Sequence, residues 1–461
     1  MDAGKALRIA VIGAGIAGLS CAWLLSRHAA GAHQVTLFEQ NEVLGGHTNT
    51  VDVTVDSITF PVDTGFLVYN DWTYPNLIAM FKHLNVEVAP SEMSFGIKLL
   101  DEKARGKLEW CGSDRISTLF AQPANLLKPA FWGMLKDMLR FNREATALAD
   151  GEMRGTLGEY LKANDYGHAF REWYLKPMAA CIWSTPSQKI DDFPLVTFID
   201  FCRNHGLISV NDRPQWRTVK GGARNYVTKL AAEIDDIRLK AALIRVTPAG
   251  VEADSGVTVT SATGDERFDQ VVFACHSDQA LTLMGKSAGF AREVLSKIPY
   301  QSNTAILHTD QSLLPDRPRA WAAWNYMAWH PDTPQARNNA NADAPVSLSY
   351  LLNRLQPLPF TTPVIVTMNP LIAPDPAKVI KTIHYDHPVF LADSATAKRE
   401  LRGLQGQRNT WFAGAWTRYG FHEDGLMSGI AVAQALGATV PWATNVPAAN
   451  DLAHAYPGID A

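Results

Sequence analysis

The stretch RIAVIGAGIAGLSCAWLL, residues 8–25, decides the fold. Its first five residues form a short apolar run typical of a buried strand, and a helix is predicted from about Ile16 to His28. Gly13 permits a tight turn between them, Gly15 lets the backbone approach a pyrophosphate, and Gly18 lets the helix pack on the sheet. The N-terminus of such a helix binds phosphate through its free N–H groups and partial positive charge. This arrangement predicts a dinucleotide site.

A second apolar run, residues 34–38, predicts the neighbouring strand, and Glu39 stands at its end. A carboxylate about 20 residues beyond the glycine motif accepts hydrogen bonds from both ribose hydroxyls of a dinucleotide. Gly45 and Gly46 follow, and a second glycine turn here favours FAD over NAD, because the flavin half of FAD extends across the sheet. The residues predicted to bind FAD in this half are Gly13, Gly15, Ile16, Ala17, Gly18, Glu39, Gln40, Gly45, Gly46, His47 and Thr48.

The C-terminal stretch WFAGAWTRYGFHEDGLMSGIAVAQALG, residues 411–437, supplies a matching signal. It predicts a strand over 410–413, an aromatic loop, and a helix that begins near Asp424 or Gly425. A helix N-terminus directed at the pyrimidine side of a flavin stabilises the negative charge that reduction places there. Asp424 is equally suited to capping its own helix, and Gly425 with Gly429 fits close packing against the cofactor or against protein. The predicted FAD contacts here are Gly414, Glu423, Asp424, Gly425 and Leu426.

Composition indicates a globular enzyme. The chain has 461 residues, of which 47% are hydrophobic, and its formal net charge of −4 argues against a nucleic-acid partner. No apolar run reaches the roughly 18 residues of a membrane span, and the first strand begins too early to leave room for a signal peptide. We therefore expect a cytoplasmic protein. The five cysteines are widely spaced without a CxxC pair, so we expect buried thiols and neither a metal site nor disulfides.

The dinucleotide-binding signals lie in three separate pieces, which predicts an interleaved architecture. The predicted class is α/β: a discontinuous Rossmann-type FAD-binding domain with an interleaved α+β substrate-binding domain. The turn at 63–65 is expected to touch the flavin or simply to join strands. The FAD-binding domain is predicted at 1–71, 216–275 and 396–440, the substrate-binding domain at 72–215 and 276–395, and a C-terminal tail at 441–461.

The first insertion reads as mainly helical, and one of its segments is amphipathic. From Leu126 to Arg143 apolar residues recur at helical spacing, while Lys128, Lys136 and Arg140 add positive charge. Such a helix packs its apolar side on a protein core, or it lies on an anionic membrane surface. Both interpretations stay open, and with them peripheral contact with the inner face of a membrane.

Eight strings scattered along the chain carry a resemblance to a known family: GGHTNT (45–50), TYPNL (73–77), MSFG (93–96), FWGML (131–135), CIWSTP (181–186), FCRNHGL (201–207), RPQWRTV (213–219) and YGFHEDGL (419–426). The chain resembles the flavin-containing amine oxidase and carotenoid desaturase superfamily, and more narrowly the FAD domain fused N-terminal to plant cyclopropane fatty acid synthases and its stand-alone bacterial relatives. The resemblance implies non-covalent FAD and a substrate passage between two domains. It also implies that Leu243, in LKAALIRV, meets the adenine, although a core leucine explains it as well.

The chain departs from amine oxidases at two positions. His47 stands where those enzymes carry Arg, and an imidazole cannot form a bidentate, permanently charged contact. They also place a lysine near flavin N5, on a strand that best matches NTAILHT at 303–309, where this chain has Ala305. No cysteine follows Cys275, which excludes a thioether to the flavin from the C-terminal region. Amine oxidation is therefore disfavoured.

The sequence thus predicts an FAD-dependent oxidoreductase that transfers hydride between flavin N5 and an apolar, lipid or fatty-acyl substrate. His422, Tyr419 and Trp416 are the candidate catalytic residues, with His384 and His387 as a second possibility; for each histidine a structural role stays open. The alternatives are a flavin amine or amino-acid oxidase, and an accessory partner of a lipid methyltransferase of the cyclopropane-fatty-acid-synthase type. CIWSTP lines the substrate passage or belongs to the core.

Overall fold

The computed structural model describes residues 6–30, 33–113, 115–148, 153–183, 187–208, 213–250, 256–339, 346–389, 392–444 and 446–449. Its strands are β1 (Arg8–Ile12), β2 (Gln34–Phe38), β3 (Thr50–Val55), β4 (Ile58–Asp63), β5 (Tyr69–Asn70), β6 (Val88–Pro90), β7 (Phe95–Leu100), β8 (Gly106–Gly112), β9 (Trp216–Val219), β10 (Asp236–Arg238), β11 (Leu243–Thr247), β12 (Val257–Ser261), β13 (Gly264–Phe268), β14 (Gln270–Phe273), β15 (Tyr300–His308), β16 (Trp324–Trp329), β17 (Ser347–Leu351), β18 (Ile365–Met368), β19 (Val379–Pro388) and β20 (Thr410–Phe412). Its α-helices are α1 (Ile16–Arg27), α2 (Pro75–His83), α3 (Ile116–Leu119), α4 (Pro129–Ala147), α5 (Leu157–Ala163), α6 (His168–Phe170), α7 (Lys176–Trp183), α8 (Leu195–Asn204), α9 (Arg224–Ala231), α10 (Ser277–Met284), α11 (Arg292–Leu295), α12 (Pro334–Asn339), α13 (Leu352–Leu355), α14 (Ala392–Glu400) and α15 (His422–Ala435).

A parallel sheet of five strands carries the glycine motif. Its order is β10-β2-β1-β14-β20, and every neighbouring pair is parallel. Its central strands are apolar on both faces, as a parallel sheet covered on both sides requires. The strands come from three separated stretches of chain, so the predicted discontinuous Rossmann-type fold is confirmed. The domain boundaries stay a prediction.

A mixed sheet of seven strands forms the second layer. Its order is β19-β15-β18-β17-β16-β7-β8, in which β16 and β7 are parallel and the other pairs antiparallel. The first predicted insertion is therefore not only helical, because it supplies β7 and β8. β7 and β8 form a local antiparallel hairpin, and β7 joins this hairpin to the sheet by pairing with β16, far along the chain.

Helices from the first insertion cover this sheet. Phe131 and Phe141 of α4 are fully buried with Phe170 and Phe198 in one core. The amphipathic segment therefore buries part of its apolar side, whereas Leu127 and Leu139 are exposed. The helix α4 begins only at Pro129, after a short 3₁₀ turn over Pro123–Leu127. Proline fits the first helical turn because it lacks the N–H that would stay unpaired there.

The described part of the predicted tail packs on the Rossmann-type half. Trp442 stacks on Trp23 of α1 with ring centroids 6.1 Å apart, and Thr444 donates a hydrogen bond to the side chain of Asn76. Burial of an aromatic ring stabilises such an attachment. Over the residues that the structure describes, no helix is long and apolar enough to cross a membrane.

Candidate cofactor and substrate site

One large cavity lies between the half of the protein that contains the five-stranded parallel sheet and the half that contains the seven-stranded sheet. Its volume is about 2230 Å³, against roughly 300–1,000 Å³ for a pocket that holds one drug-sized ligand. The wall combines the glycine turns of the Rossmann-type half with aromatic side chains of the seven-stranded half. The cavity therefore has room for a dinucleotide and a substrate together.

The three glycines of the first motif have different surroundings. Gly13 has a φ of +103°, in the region that favours glycine. A Cβ on Gly18 would lie 1.9 Å from the carbonyl oxygen of Gly13, so this position serves packing. A Cβ on Gly15 would meet nothing within 4 Å. Gly15 thus leaves open space at the N-terminus of α1, where a pyrophosphate could approach.

The second glycine turn lies directly against the first. Gly15 and Gly45 form a β-bridge, and the N–H of Gly45 donates to the carbonyl of Ala14. A Cβ on Gly46 would stand 3.2 Å from the Cα of Gly15. The two turns therefore form one cradle of backbone without side chains.

Glu39 is buried at the end of β2 beside this cradle. Its carboxylate accepts from the backbone N–H of Ala14 and from both the backbone and the side-chain amide of Asn41. These contacts fix the carboxylate at the strand end that in dinucleotide-binding folds meets a ribose. Gln40 and Leu243 lie on the same cavity wall.

The structure separates the predicted site residues into two groups. On the cavity wall lie Gly13, Gly15, Ile16, Ala17, Glu39, Gln40, Gly45, Gly46, His47, Thr48, Leu243, Gly414, Trp416 and His422. Away from that wall lie Gly18, Tyr419, Glu423, Asp424, Gly425 and Leu426.

The carboxylate of Glu423 is directed at another helix. It accepts hydrogen bonds from the backbone N–H groups of Asn76 and Leu77 and from the side chain of Asn76, all at 2.9 Å. These are donors at the start of α2, which lack partners inside their own helix. The side chain of Glu423 therefore caps α2, and its predicted cofactor contact stays a prediction. Burial raises the pKa of the Glu423 carboxyl to about 7.

Asp424 serves its own helix start. Its carboxylate accepts from the backbone N–H of Phe421 and from the guanidinium of Arg418, and both charged side chains are buried. The capping interpretation of the sequence thus fits the geometry. Burial raises the pKa of the Asp424 carboxyl, against the opposing effect of Arg418. Tyr419 lies beside Lys398, outside the cavity, in a smaller depression.

Gly425 and Gly429 face α1 rather than the cavity. A Cβ on Gly429 would lie 2.3 Å from the carbonyl oxygen of Ala17, and one on Gly425 would lie 2.8 Å from the side chain of Ile16. Of the two roles left open for these glycines, helix packing is the one the structure supports. Leu426 is fully buried and belongs to the same core.

A chain of hydrogen bonds joins the second glycine turn to α15. The Thr48 hydroxyl lies 2.6 Å from the hydroxyl of Tyr226, which lies 2.8 Å from Nε2 of His422. The His422 ring also stacks on Phe66, with centroids 3.8 Å apart. Burial lowers the pKa of His422 to about 3, so the ring is neutral at pH 7. Sequence reasoning missed Tyr226, which is fully buried in α9 and whose only signal was its place on an amphipathic helix.

His47 belongs to a cluster of aromatic rings on the same wall. Its ring stacks on that of Tyr385, with ring centroids 5.1 Å apart. The centroid distances to the rings of His387 and His276 are 5.3 Å and 6.3 Å. Burial and the neighbouring histidines lower the pKa of His47 to about 3. Nε2 of His47 is buried without a protein partner. Such an atom beside the glycine cradle is suited to a hydrogen bond with a bound group.

His387 is held from the seven-stranded sheet. Its Nδ1 lies 3.0 Å from the side-chain amide of Asn303, and Asn303 in turn accepts from Asn369. Burial lowers the pKa of His387 to about 4. His384, on the same strand, is exposed. Within the described residues, no group of three or more His, Cys, Asp and Glu side chains could hold a metal ion.

The turn after β4 has a structural role and also reaches the cavity. Asp63 accepts from the N–H of Ala223, and from the hydroxyl of Thr50, so it anchors the start of α9. A Cβ on Gly65 would lie 2.1 Å from the carbonyl oxygen of His47, so this glycine packs against the second turn. Gly65 also lines the cavity.

Trp416 closes the wall near the end of β20. Its indole N–H donates to the carbonyl of Cys275, and the ring lies against Gly414, whose φ of +150° and close contact with the ring favour glycine. The indole is almost fully buried. This geometry suits a wall residue better than a proton donor.

The other part of the cavity is lined by apolar and aromatic side chains. From CIWSTP, Cys181 and Ile182 lie on the wall, whereas residues 184–186 lie outside the described residues. Ala305 is buried in β15 between β18 and β19. Lys381 of β19 is exposed on the wall and has no counterpart among the predicted residues. Other aromatic and methionine side chains on the cavity wall include Trp110, Met138, Tyr174, Met178, Trp324 and Tyr350.

These features fit FAD. The open face of Gly15, the fixed Glu39 carboxylate and the orphaned Nε2 of His47 lie on one wall, and no large side chain fills the cradle. The fold and the cavity together define a flavin-dependent oxidoreductase.

Comparison with known proteins identifies the family. The sequence pattern of the family described as flavin containing amine oxidoreductase matches residues 16–338, more than half of the chain, and the chain belongs to that family. The 15-cis-phytoene desaturase of Synechococcus elongatus is 38% identical over 81 residues, 18% of this chain and 16% of that protein. The chain thus matches only a small part of the length of this curated relative. FAD as cofactor, the oxidoreductase class and the superfamily predicted from the sequence are confirmed.

Solved structures share the fold over nearly the whole chain. A fatty acid isomerase from P. acnes that produces CLA gives a TM-score of 0.60 at 16% identity, covering 93% of this chain and 98% of that one. Cyclohexylamine oxidase from Brevibacterium oxydans IH-35A gives a TM-score of 0.60 at 16% identity, covering 94% and 100%. A putative protoporphyrinogen oxidase from Exiguobacterium sp. 255-15 gives 0.63 at 14% identity, covering 94% and 99%. At these identities the similarity shows the fold alone.

We expect Tyr226→Phe to weaken the link between the second glycine turn and α15. Without its hydroxyl, the buried Thr48 hydroxyl and His422 Nε2 lose their partner, which should cost about 1–3 kcal/mol of unfolding free energy. FAD affinity should fall as well. Denaturant unfolding and flavin titration measure both effects. Thr228→Ala on the same helix, which removes a hydroxyl bonded only to the Arg224 carbonyl, is the matched control. If the two variants had equal effects, the hydrogen-bond chain would have no specific role in stability or FAD binding.

Proposed function

We propose that this flavoprotein transfers hydride between FAD and an acyl chain of a lipid. One observation carries the proposal: a single cavity combines the glycine cradle with a section walled by tryptophan, tyrosine and methionine. Apolar surface of this kind binds apolar substrate by removing it from water. When bound, FAD accepts or gives a hydride at N5.

Residues of the chain bind the cofactor, orient the cavity wall and exclude water. We propose that Gly15, Gly45 and Gly46 admit the pyrophosphate, that Glu39 holds the ribose, and that Gly414 and the start of α15 face the flavin. Neutral His422, fixed by Tyr226 and stacked on Phe66, orients the adjoining part of the wall. The aromatic section excludes water from the reacting carbons.

Amine oxidation has weaker support. Ala305 is a buried alanine where amine oxidases carry lysine, and His47 stands in place of their arginine. The cyclohexylamine oxidase shares the fold at an identity too low to carry its activity over. The names of two other similar proteins contain fatty acid isomerase and phytoene desaturase, which agrees with apolar chains as the substrate class.

The test uses the absorbance of the bound flavin. Oxidised and reduced protein are mixed anaerobically with detergent-solubilised phospholipids that carry saturated, unsaturated or cyclopropane acyl chains. We expect one class to bleach or restore the flavin band. Primary amines and polyamines form the control arm. Rapid bleaching by an amine, with no response to any lipid, would overturn the proposal in favour of an oxidase of amines or amino acids.

We also propose a relationship with the FAD domains fused to plant cyclopropane fatty acid synthases, carried by strings such as GGHTNT and YGFHEDGL. A lipid methyltransferase would then be the functional partner, and a membrane surface in the cytoplasm the place of action. Co-purification with such a methyltransferase tests the partner. If the methyltransferase stays active beside protein whose flavin cannot be reduced, an accessory role replaces the redox role.

A further inference from the structure

Exposed apolar side chains are concentrated in one short part of the chain. Among the described residues, eleven large hydrophobic side chains are exposed, and five of them lie between residues 116 and 139. A soluble surface scatters such residues singly, whereas a cluster marks an interaction site. We name this cluster the docking face: Ile116, Leu126, Leu127, Trp132 and Leu139, exposed by 76%, 49%, 86%, 49% and 60%.

Contacts within the cluster hold part of it together. The Trp132 indole donates to the carbonyl of Leu126, and its ring lies 5.3 Å from that of Phe120. Leu139 follows Trp132 after two helical turns, on the same side of α4. The bulky apolar groups are therefore presented outward by a helix whose opposite side is fixed in the core.

Positive charge accompanies the apolar groups. Between residues 115 and 147 the chain carries five basic and two acidic side chains, although its overall charge is −4. Lys136 and Arg143 are exposed and spaced at helical intervals with Trp132 and Leu139. The two acidic groups, Asp137 and Glu144, accept hydrogen bonds from Gly167 and Tyr166 and form ion pairs with Arg140, and Glu144 also lies 3.8 Å from Arg143. Because basic side chains outnumber acidic ones, the net charge of this segment is positive.

The same elements line the cavity. Thr118 and Leu119 of α3 and Met138 of α4 lie on its wall, together with Arg115. Ile116 and Leu139, their neighbours in sequence, are exposed. The docking face and this part of the cavity therefore lie on opposite sides of the same short elements.

We infer that the docking face binds an anionic lipid bilayer and brings the cavity to the membrane surface, so that acyl substrates enter from the lipid. An amphipathic helix with aromatic and leucine groups among basic residues lies in the interface of such a bilayer. The inference rests on the proposed lipid substrate and adds how that substrate arrives. A second copy of this chain is the competing occupant.

Vesicle flotation of the FAD-loaded protein tests the inference. We expect binding to vesicles that contain phosphatidylglycerol, little binding to phosphatidylcholine alone, and release by high salt. Lys136→Gln/Arg143→Gln should lower the partition coefficient by about fivefold per charge. Leu127→Ser/Leu139→Ser should lower the partition coefficient at least about tenfold, because two leucine side chains are no longer transferred from water into the bilayer. Ile58→Ser/Leu239→Ser, which removes exposed apolar groups elsewhere, is the matched control and should bind as the wild type does.

Flavin absorbance and thermal unfolding verify that each variant is folded. Absence of vesicle binding, or equal binding by the leucine variant and its control, would overturn the inference. Concentration-dependent dimerisation that only the leucine variant loses, without vesicle binding, would assign the face to a second copy. Lipids in detergent report on the proposed reaction independently. If the protein binds vesicles but its flavin does not respond to lipids in detergent, the proposed reaction is contradicted. If the flavin responds but the protein does not bind vesicles, the membrane-binding role of the docking face is contradicted.

Discussion

Gly18→Ala is expected to destabilise the fold strongly and to weaken FAD binding together with it. Its Cβ would lie 1.9 Å from the Gly13 carbonyl oxygen and 3.1 Å from the Ala274 Cβ, so α1 must move away from the sheet. Overpacking against backbone should cost about 3 kcal/mol or more, a large share of the roughly 5–15 kcal/mol that stabilises a typical protein. Circular dichroism, thermal unfolding and the yield of bound flavin measure the effect.

Two other glycines provide controls. Gly15 has a φ of −71° and free space for a Cβ, so Gly15→Ala should fold. That Cβ enters the space proposed for the pyrophosphate, and we expect FAD affinity to fall on the order of 100-fold, equivalent to about 2.7 kcal/mol. Gly133→Ala, at an open site in α4, should stabilise the protein by about 0.5–1 kcal/mol. A folded Gly18→Ala with normal FAD binding would contradict the packing of α1 described above.

Glu423→Ala is expected to destabilise the protein, and more strongly in acid. The variant leaves three donors at the start of α2 without their acceptor and creates a cavity, at a cost of about 2–4 kcal/mol near pH 5. Urea unfolding from pH 5 to pH 8 measures the loss. Glu87→Ala removes an exposed carboxylate paired with Lys220 and should change stability by less than about 0.5 kcal/mol.

The pH dependence follows from the raised pKa of Glu423. Below pH 4.5 the carboxyl is protonated in the folded and the unfolded chain alike, so it adds no pH dependence. Between pH 4.5 and about 7 the unfolded chain ionises first, and this favours unfolding by up to about 3 kcal/mol. The stability difference between wild type and Glu423→Ala should therefore narrow as the pH rises. A difference that widens would show that the three N–H donors hold the carboxylate ionised.

Local patterns predicted the elements around the glycine motif. The strands Arg8–Ile12 and Gln34–Phe38 have their expected bounds, and α1 ends within one residue of its expected end. These elements carry their signals in their own residues: apolar runs, glycine spacing and an acidic strand end.

Long-range partners limited the prediction of the site. Glu423 lies within the string YGFHEDGL, but its partner Asn76 lies 347 residues earlier, and no residue near Glu423 in sequence indicates this pairing. Tyr226 likewise gains its role only because α9 lies between the second glycine turn and α15. The seven-stranded sheet was missed in part for the same reason: β7 pairs with β16, and the rest of the first insertion, the middle FAD-binding piece and part of the second insertion lie between them in sequence.

The order of the sheet has a consequence for synthesis on the ribosome. β20 pairs with β14 and α15 packs on α1, yet about 400 residues separate β1 from β20. At roughly 5–20 residues per second, the nascent chain spends on the order of 20–80 s with α1 lacking its final partner. A chain that stops before residue 410 cannot complete the sheet, and we therefore expect FAD to bind only near the end of translation.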